Sequence, residues 1–166
     1  MRNWKAEVLV ALMIGLMLLL IFSLIQSVRA EDTEGWILCQ PDSYVNARWS
    51  PSIRSEGIGR LELGDRIRTD GVEKNGYIHC TGLRFESNEG WIHAGYIVWD
   101  KPRITEETWT VNAGGRTACR RYVDGPRRCW AKNHSEVTVY AISSEWALTD
   151  KGFIKTACIA PKEEGV

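Results

Sequence analysis

The chain has 166 residues, with 21 basic and 21 acidic side chains and five cysteines. That length allows one medium domain or two small ones. A net charge of zero excludes a strong general affinity for nucleic acid, which requires a surplus of Lys and Arg to neutralise phosphates.

The 44% hydrophobic content is unevenly spread: residues 1–30 hold 21 of the hydrophobic residues and all three methionines. Arg2 and Lys5 precede an uninterrupted apolar run from Val8 to Ile25, whose only polar side chain is Ser23. Val28 and Ala30 follow, ahead of the acidic pair Glu31-Asp32. A basic flank, an apolar run and a small-residue site describe a secretory signal. As a helix the run reaches about 27 Å, close to a bilayer core of roughly 30 Å. Residues 1–30 therefore read either as a signal peptide cut after Ala30 or as a hydrophobic helix kept as a transmembrane anchor. In the second case residues 8–25 engage the membrane. In both cases the basic N-terminus stays in the cytoplasm and residues 31–166 lie outside it. The exported part carries 18 basic and 20 acidic residues, so it is not a polycation drawn to acidic polymers by bulk charge.

Beyond the leader the chain reads as all-β. Short runs rich in β-branched and aromatic residues are broken by Gly, Asn, Asp and Ser. The expected strands are Trp36–Cys39, Tyr44–Arg48, Arg60–Leu63, Arg66–Thr69, Tyr77–Thr81 and Trp91–Trp99. Alternation over 44–48 places Val45 and Ala47 on one face and Tyr44, Asn46 and Arg48 on the other. Asp70-Gly71 and Asn75-Gly76 supply turn residues. The chain also repeats itself. Gly90-Trp91-Ile92 and Ile97 align without a gap on Gly152-Phe153-Ile154 and Ile159. Val45–Arg48 aligns on Thr117–Arg120, and Gly76-Tyr77-Ile78 on Glu145-Trp146-Ala147. Trp36 and Trp109 open the two halves. Residues 36–100 and 108–160 are thus two related modules, joined by a polar linker over 101–107 that contains Pro102. Residues 161–166 form a polar tail.

The first module carries further motifs. Val45-Asn46-Ala47-Arg48 with Pro51-Ser52, Ile58-Gly59-Arg60-Leu61 with Gly64-Asp65, Asn75-Gly76-Tyr77 and Gly90-Trp91-Ile92 with Tyr96-Ile97 resemble the successive segments of bacterial SH3-type (SH3b) domains. The second module resembles the same plan more loosely. It lacks the Pro-Ser after Arg120, and Cys158 stands where the aromatic belongs. The resemblance implies two tandem small SH3-like β-barrels. It also implies a non-catalytic binding role outside the cell, near peptidoglycan, with no cofactor.

Such a role needs exposed aromatics and a few fixed polar groups in a shallow groove. Tyr44, Arg48, Trp49, Tyr77 and Tyr96 are the candidates in the first module, and Arg120 and Trp146 in the second. The expected partner is cell-wall peptidoglycan or its peptide stems. The alternative is a surface protein docked by a membrane-anchored accessory chain. The densest charge feature is the group Arg116, Arg120, Arg121, Arg127, Arg128 and Lys132, on a hairpin turning near Asp124. Cys119 and Cys129 lie symmetrically about that turn, so they are the best candidates for a disulfide. No catalytic residue and no metal ligand is expected. His79-Cys80 alternates within a strand, and Cys119, Cys129 and His134 lack zinc-site spacing.

Overall fold

The computed structural model describes residues 33–162, together with Met13, Ile14 and Met17. The apolar run over 8–25 lies outside the described residues apart from those three, which are helical and exposed. Among the described residues no helix is long and apolar enough to cross a membrane.

Residues 33–162 are all-β with two short 3-10 turns. The first half contributes β1 (Thr33–Ile37), β2 (Val45–Arg48), β3 (Gly57–Leu61), β4 (Arg66–Lys74), β5 (Tyr77–Thr81), β6 (Glu89–His93) and β7 (Ile97–Val98). The second contributes β8 (Arg103–Val111), β9 (Arg116–Arg120), β10 (Arg127–Lys132), β11 (Glu136–Ile142), β12 (Trp146–Thr149), β13 (Gly152–Lys155) and β14 (Ile159–Pro161). Each half forms a seven-stranded antiparallel sheet. The orders are β3-β2-β6-β5-β4-β1-β7 and β10-β9-β13-β12-β11-β8-β14. Raising every label of the first by seven gives the second, so the repeat is one of topology. The 3-10 turns Ala94–Tyr96 and Thr156–Cys158 occupy equivalent places.

Local chemistry explains the elements. In β2 Val45 and Ala47 are buried while Asn46 and Arg48 are half-exposed, as alternation requires. Asn75 and Gly76 both take positive φ (55° and 75°), the backbone of a tight two-residue hairpin between β4 and β5. Asp70-Gly71 does not reverse the chain. It forms a bulge inside β4, where the register against β5 shifts between Thr69 and Glu73. The expected strand over 91–99 is broken by a 3-10 turn, whose N-cap His93 accepts from the Gly95 N–H.

Four expectations need correction. The sheets are open, not closed barrels. β7 is two residues long and pairs with β1, which leaves too little edge for β3 to close against. The stretch 101–107 is not a free linker, because β8 starts directly after Pro102 and Arg103, Ile104 and Glu107 pair with β11. Its polar character reflects an exposed half-strand. Glu107, exposed, accepts from Arg103, Thr105 and Trp109, and these bonds hold its carboxyl down at about 2. The expected polar tail over 161–166 starts inside the sheet, where Pro161 ends β14 and Lys162 pairs with Glu136; residues 163–166 lie outside the described residues. Finally, Ile37↔Ile97 and Val111↔Ile159 align Trp109 with Gly35 rather than with Trp36. The Trp99 ring lies against Gly35, within 3.2 Å of where a Cβ would stand.

Each half has its own apolar core. Ile37, Leu61, Ile67, Ile78 and Ile92 pack in the first, and Val111, Val137, Val139, Ala147 and Ile154 in the second. A third cluster joins them: Leu38 and Val98 meet Ala141, Trp146, Leu148 and Phe153. Hydrogen bonds run beside it. Gln40 Nε2 donates to the Thr149 carbonyl (2.8 Å), and the Ser144 N–H donates to Asp100 Oδ2 (2.6 Å). The two sheets therefore form one compact unit.

Candidate functional site

A groove of about 370 Å³ opens on the first half, lined by Tyr44, Val45, Asn46, Arg48, Ile53, Tyr77, His93, Tyr96 and Tyr122. The volume falls in the usual range for small-ligand sites, about 300–1,000 Å³. Three elements converge there. The outward face of β2 supplies Asn46 and Arg48, β5 begins with Tyr77, and the 3-10 turn after β6 carries Tyr96. Tyr122 comes from the other half, out of the β9–β10 hairpin.

His93 is the hub. Its ring meets those of Tyr77, Tyr96 and Tyr122 edge-on, at centroid distances of 5.3, 5.7 and 4.7 Å. Burial holds its pKa below the ordinary histidine value. Nδ1 accepts from the Gly95 N–H at 3.2 Å, so the neutral ring carries its proton on Nε2 and offers one N–H donor. The Tyr96 phenol is pushed upward by burial and by Tyr122, an effect partly offset by Arg121.

Tyr122 is held by two glycines. A Cβ on Gly95 would stand 2.3 Å from its Cδ2, and one on Gly125 would stand 2.4 Å away. The Val123 N–H donates to the Gly95 carbonyl at 2.8 Å, tying the hairpin to the first half. One wall of the groove is thus a product of the packing between halves.

The candidates named from sequence divide three ways. Tyr44, Arg48, Tyr77 and Tyr96 share the groove, but Tyr77 is not the exposed aromatic expected: it is buried, only 8% exposed. Tyr44 lies under the Arg60 guanidinium, 4.2 Å from its ring centroid. Trp49 does not line the groove; it starts the β2–β3 loop and is 59% exposed. Arg48 and Arg120 share an internal task. Arg48 Nη1 donates to the Ser55 carbonyl at 2.5 Å, and Arg120 Nη1 to the Gly125 carbonyl at 2.7 Å. Each braces the loop that follows its strand, and the loop braced by Arg48 carries Ile53 into the groove. Trp146 is not an exposed platform. It is 3% exposed, packed in the cluster between the halves and capped by Lys155 Nζ at 4.1 Å from its ring. Trp146, Lys155 and Cys158 are the counterparts of Tyr77, His93 and Tyr96. Lys155 is further held by Glu145 at 3.1 Å. The second half therefore presents no matching aromatic groove in that place.

Sequence reasoning missed Ile53, His93 and Tyr122. His93 had a signal, since it stands at the one polar position inside the repeated Gly-aromatic-Ile segment. Tyr122 had none, because its role depends on contact between halves.

Cys119 and Cys129 are Cα partners across β9 and β10, despite a bulge between Arg127 and Cys129. Both are free thiols. Burial, followed by the neighbouring Cys129, pushes Cys119 up to about 12. Burial likewise pushes Cys39 to about 11 and Cys80 to about 12. Such thiols are held protonated at neutral pH, the reverse of an activated nucleophile. Among the described residues no His, Cys, Asp and Glu cluster is arranged to hold a metal.

No protein-family model and no curated protein matches the chain. Among solved structures, NlpC1 from Trichomonas vaginalis aligns with 84% of this chain and 49% of its own, at 14% identity and a TM-score of 0.36. NlpC2 from the same organism aligns with 82% of this chain and 51% of its own, at 13% identity and 0.35. The chain spans about half the length of these structures. Likeness at this level carries no argument about activity.

Proposed function

We propose that this protein is a non-catalytic binding module acting outside the cytoplasm. It takes an extended segment of peptidoglycan, its glycan or its peptide stem, into the aromatic groove. The observation that carries this reading is the convergence of four tyrosines and His93 on one groove. Aromatic faces suit the C–H faces of sugars and the flat backbone of an extended peptide. The tyrosine hydroxyls and His93 Nε2–H fix orientation. The SH3b resemblance over 36–100 and the leader composition of residues 1–30 support the location and the class of ligand. The elevated thiols at Cys39, Cys80 and Cys119 support binding rather than acyl transfer.

The test is co-sedimentation of the full chain with purified cell walls. Retention should exceed that of a denatured control, and Tyr77→Ala or Tyr96→Ala should lower it about tenfold, the loss expected for a buried aromatic anchor. Retention no better than the control overturns the reading. Release of soluble wall fragments during incubation would show catalysis instead.

A further inference from the structure

The basic hairpin of the second half is not used by the groove. Residues 116–132 hold six basic side chains and one acid, Asp124, a surplus of five in a chain whose net charge is zero. Two of the six have other tasks. Arg120 braces the Gly125 carbonyl, and the charge of Arg121 is felt at Tyr96. Arg116, Arg127, Arg128 and Lys132 remain, and all four are exposed. Among the described residues none of these four pairs with a carboxylate. By contrast Arg66, Arg84, Arg103, Lys155 and Lys162 each do.

Three of them gather about an exposed tryptophan, and Arg128 is the extra residue of the bulge between Arg127 and Cys129. Trp130 points outward from β10, an edge strand of its sheet, and is 43% exposed. Its cross-strand partner is Ala118, which adds no bulk beside the ring. The Arg116 and Arg127 guanidiniums both lie over the indole, at 4.3 and 4.7 Å from its centroid. Lys132 is the register partner of Arg116 on the same outward face. Two like charges gathered on one ring, with no carboxylate between them, make a site completed by an external anion. Three cavities described among the residues of the structure include none of these side chains. The patch therefore suits a broad surface rather than a single threaded chain.

We infer that the β9–β10 hairpin docks on an anionic phospholipid surface, with Trp130 at the headgroup level and Arg116, Arg127, Arg128 and Lys132 on lipid phosphates. Tryptophan favours the membrane interface, and each basic side chain held near an anionic leaflet adds about fivefold to binding. The inference is independent of the groove and survives if wall binding fails.

The test compares partition of the full chain into vesicles of phosphatidylcholine alone and of phosphatidylcholine with 30% phosphatidylglycerol. The apolar run at 8–25 contributes to both, so its share drops out of the ratio. At 50 mM salt the ratio should exceed about one hundred, and at 300 mM it should fall steeply as screening shortens. Arg116→Glu with Arg127→Glu should cut the ratio at least 25-fold. Arg128→Gln with Lys132→Gln, milder on the strand, should cut it about 25-fold too. A ratio near one for the natural chain overturns the inference. So does an unchanged ratio in either variant that keeps the native circular dichroism, since Arg2 and Lys5 would then account for the preference.

Discussion

Gly95→Ala tests the contact between halves at its tightest point. A methyl group there would stand 2.3 Å from Tyr122 Cδ2 and 2.8 Å from its Cγ. The ring cannot retreat toward its own hairpin, because Gly125 already lies against it from that side. Overpacking of this kind costs about 1–3 kcal/mol. Displacing the hairpin also strains the Val123-to-Gly95 hydrogen bond, worth about 1 kcal/mol. Against this, alanine restricts the unfolded chain and returns about 0.4–1 kcal/mol, since Gly95 does not need positive φ. The net loss should be about 2 kcal/mol. In a unit of this size that is a fall of about 8 °C in Tm. Because the cost arises from the ring, Tyr122→Ala should absorb most of it. A double-mutant cycle by urea denaturation should give a coupling of about 1–2 kcal/mol. If Gly95→Ala is as stable as the natural protein, or equally damaging with and without the Tyr122 ring, the reasoning is wrong.

Leu148→Ala removes a fully buried side chain from the cluster between the halves and should cost about 2–5 kcal/mol. Calorimetry should still show one transition, because both halves depend on that cluster; two separated transitions would contradict this. The lowered pKa of His93 predicts acid sensitivity. Above about pH 6.5 the ring is neutral folded or unfolded and has no effect. As pH falls below that value the unfolded chain takes up the proton first, so stability declines until the lowered folded pKa is passed, then levels off. His93→Phe should flatten that part of the profile measured by chemical denaturation. For the cysteines, mild oxidation should join Cys119 to Cys129 and lower the titratable thiols by two, with the crosslink found by peptide mapping. Capture of any other pair first would refute the register.

What the sequence made legible were features set by neighbouring residues. The β2 alternation and the Asn75-Gly76 hairpin need only local geometry. The repeated glycine ahead of Trp91 and Phe153 was legible as a repeat, but its reason is visible only in three dimensions. A Cβ on Gly90 would stand 3.2 Å from the Arg48 carbonyl oxygen, and one on Gly152 would stand 2.4 Å from that of Arg120. The glycine and the arginine of the repeat are thus two sides of one close approach. The burial of Tyr77 and Trp146, 8% and 3% exposed, was not legible. The two share one place in the repeat, yet Leu38 and Val98 of the first half bury Trp146 while Tyr77 fronts a groove. Pattern reports an aromatic at both positions, and packing between halves decides which one lines a groove. The same asymmetry sets an expectation for the proposed binding. Tyr122 leans from the second half over the first, and the counterpart of that groove is occupied by Lys155 on Trp146. Calorimetric titration with a soluble wall fragment should therefore give one site per chain, abolished by Tyr96→Ala. Two equal sites would mean that Lys155 and Glu145 open the second position, and that the duplication preserved two grooves rather than using one half to complete the other.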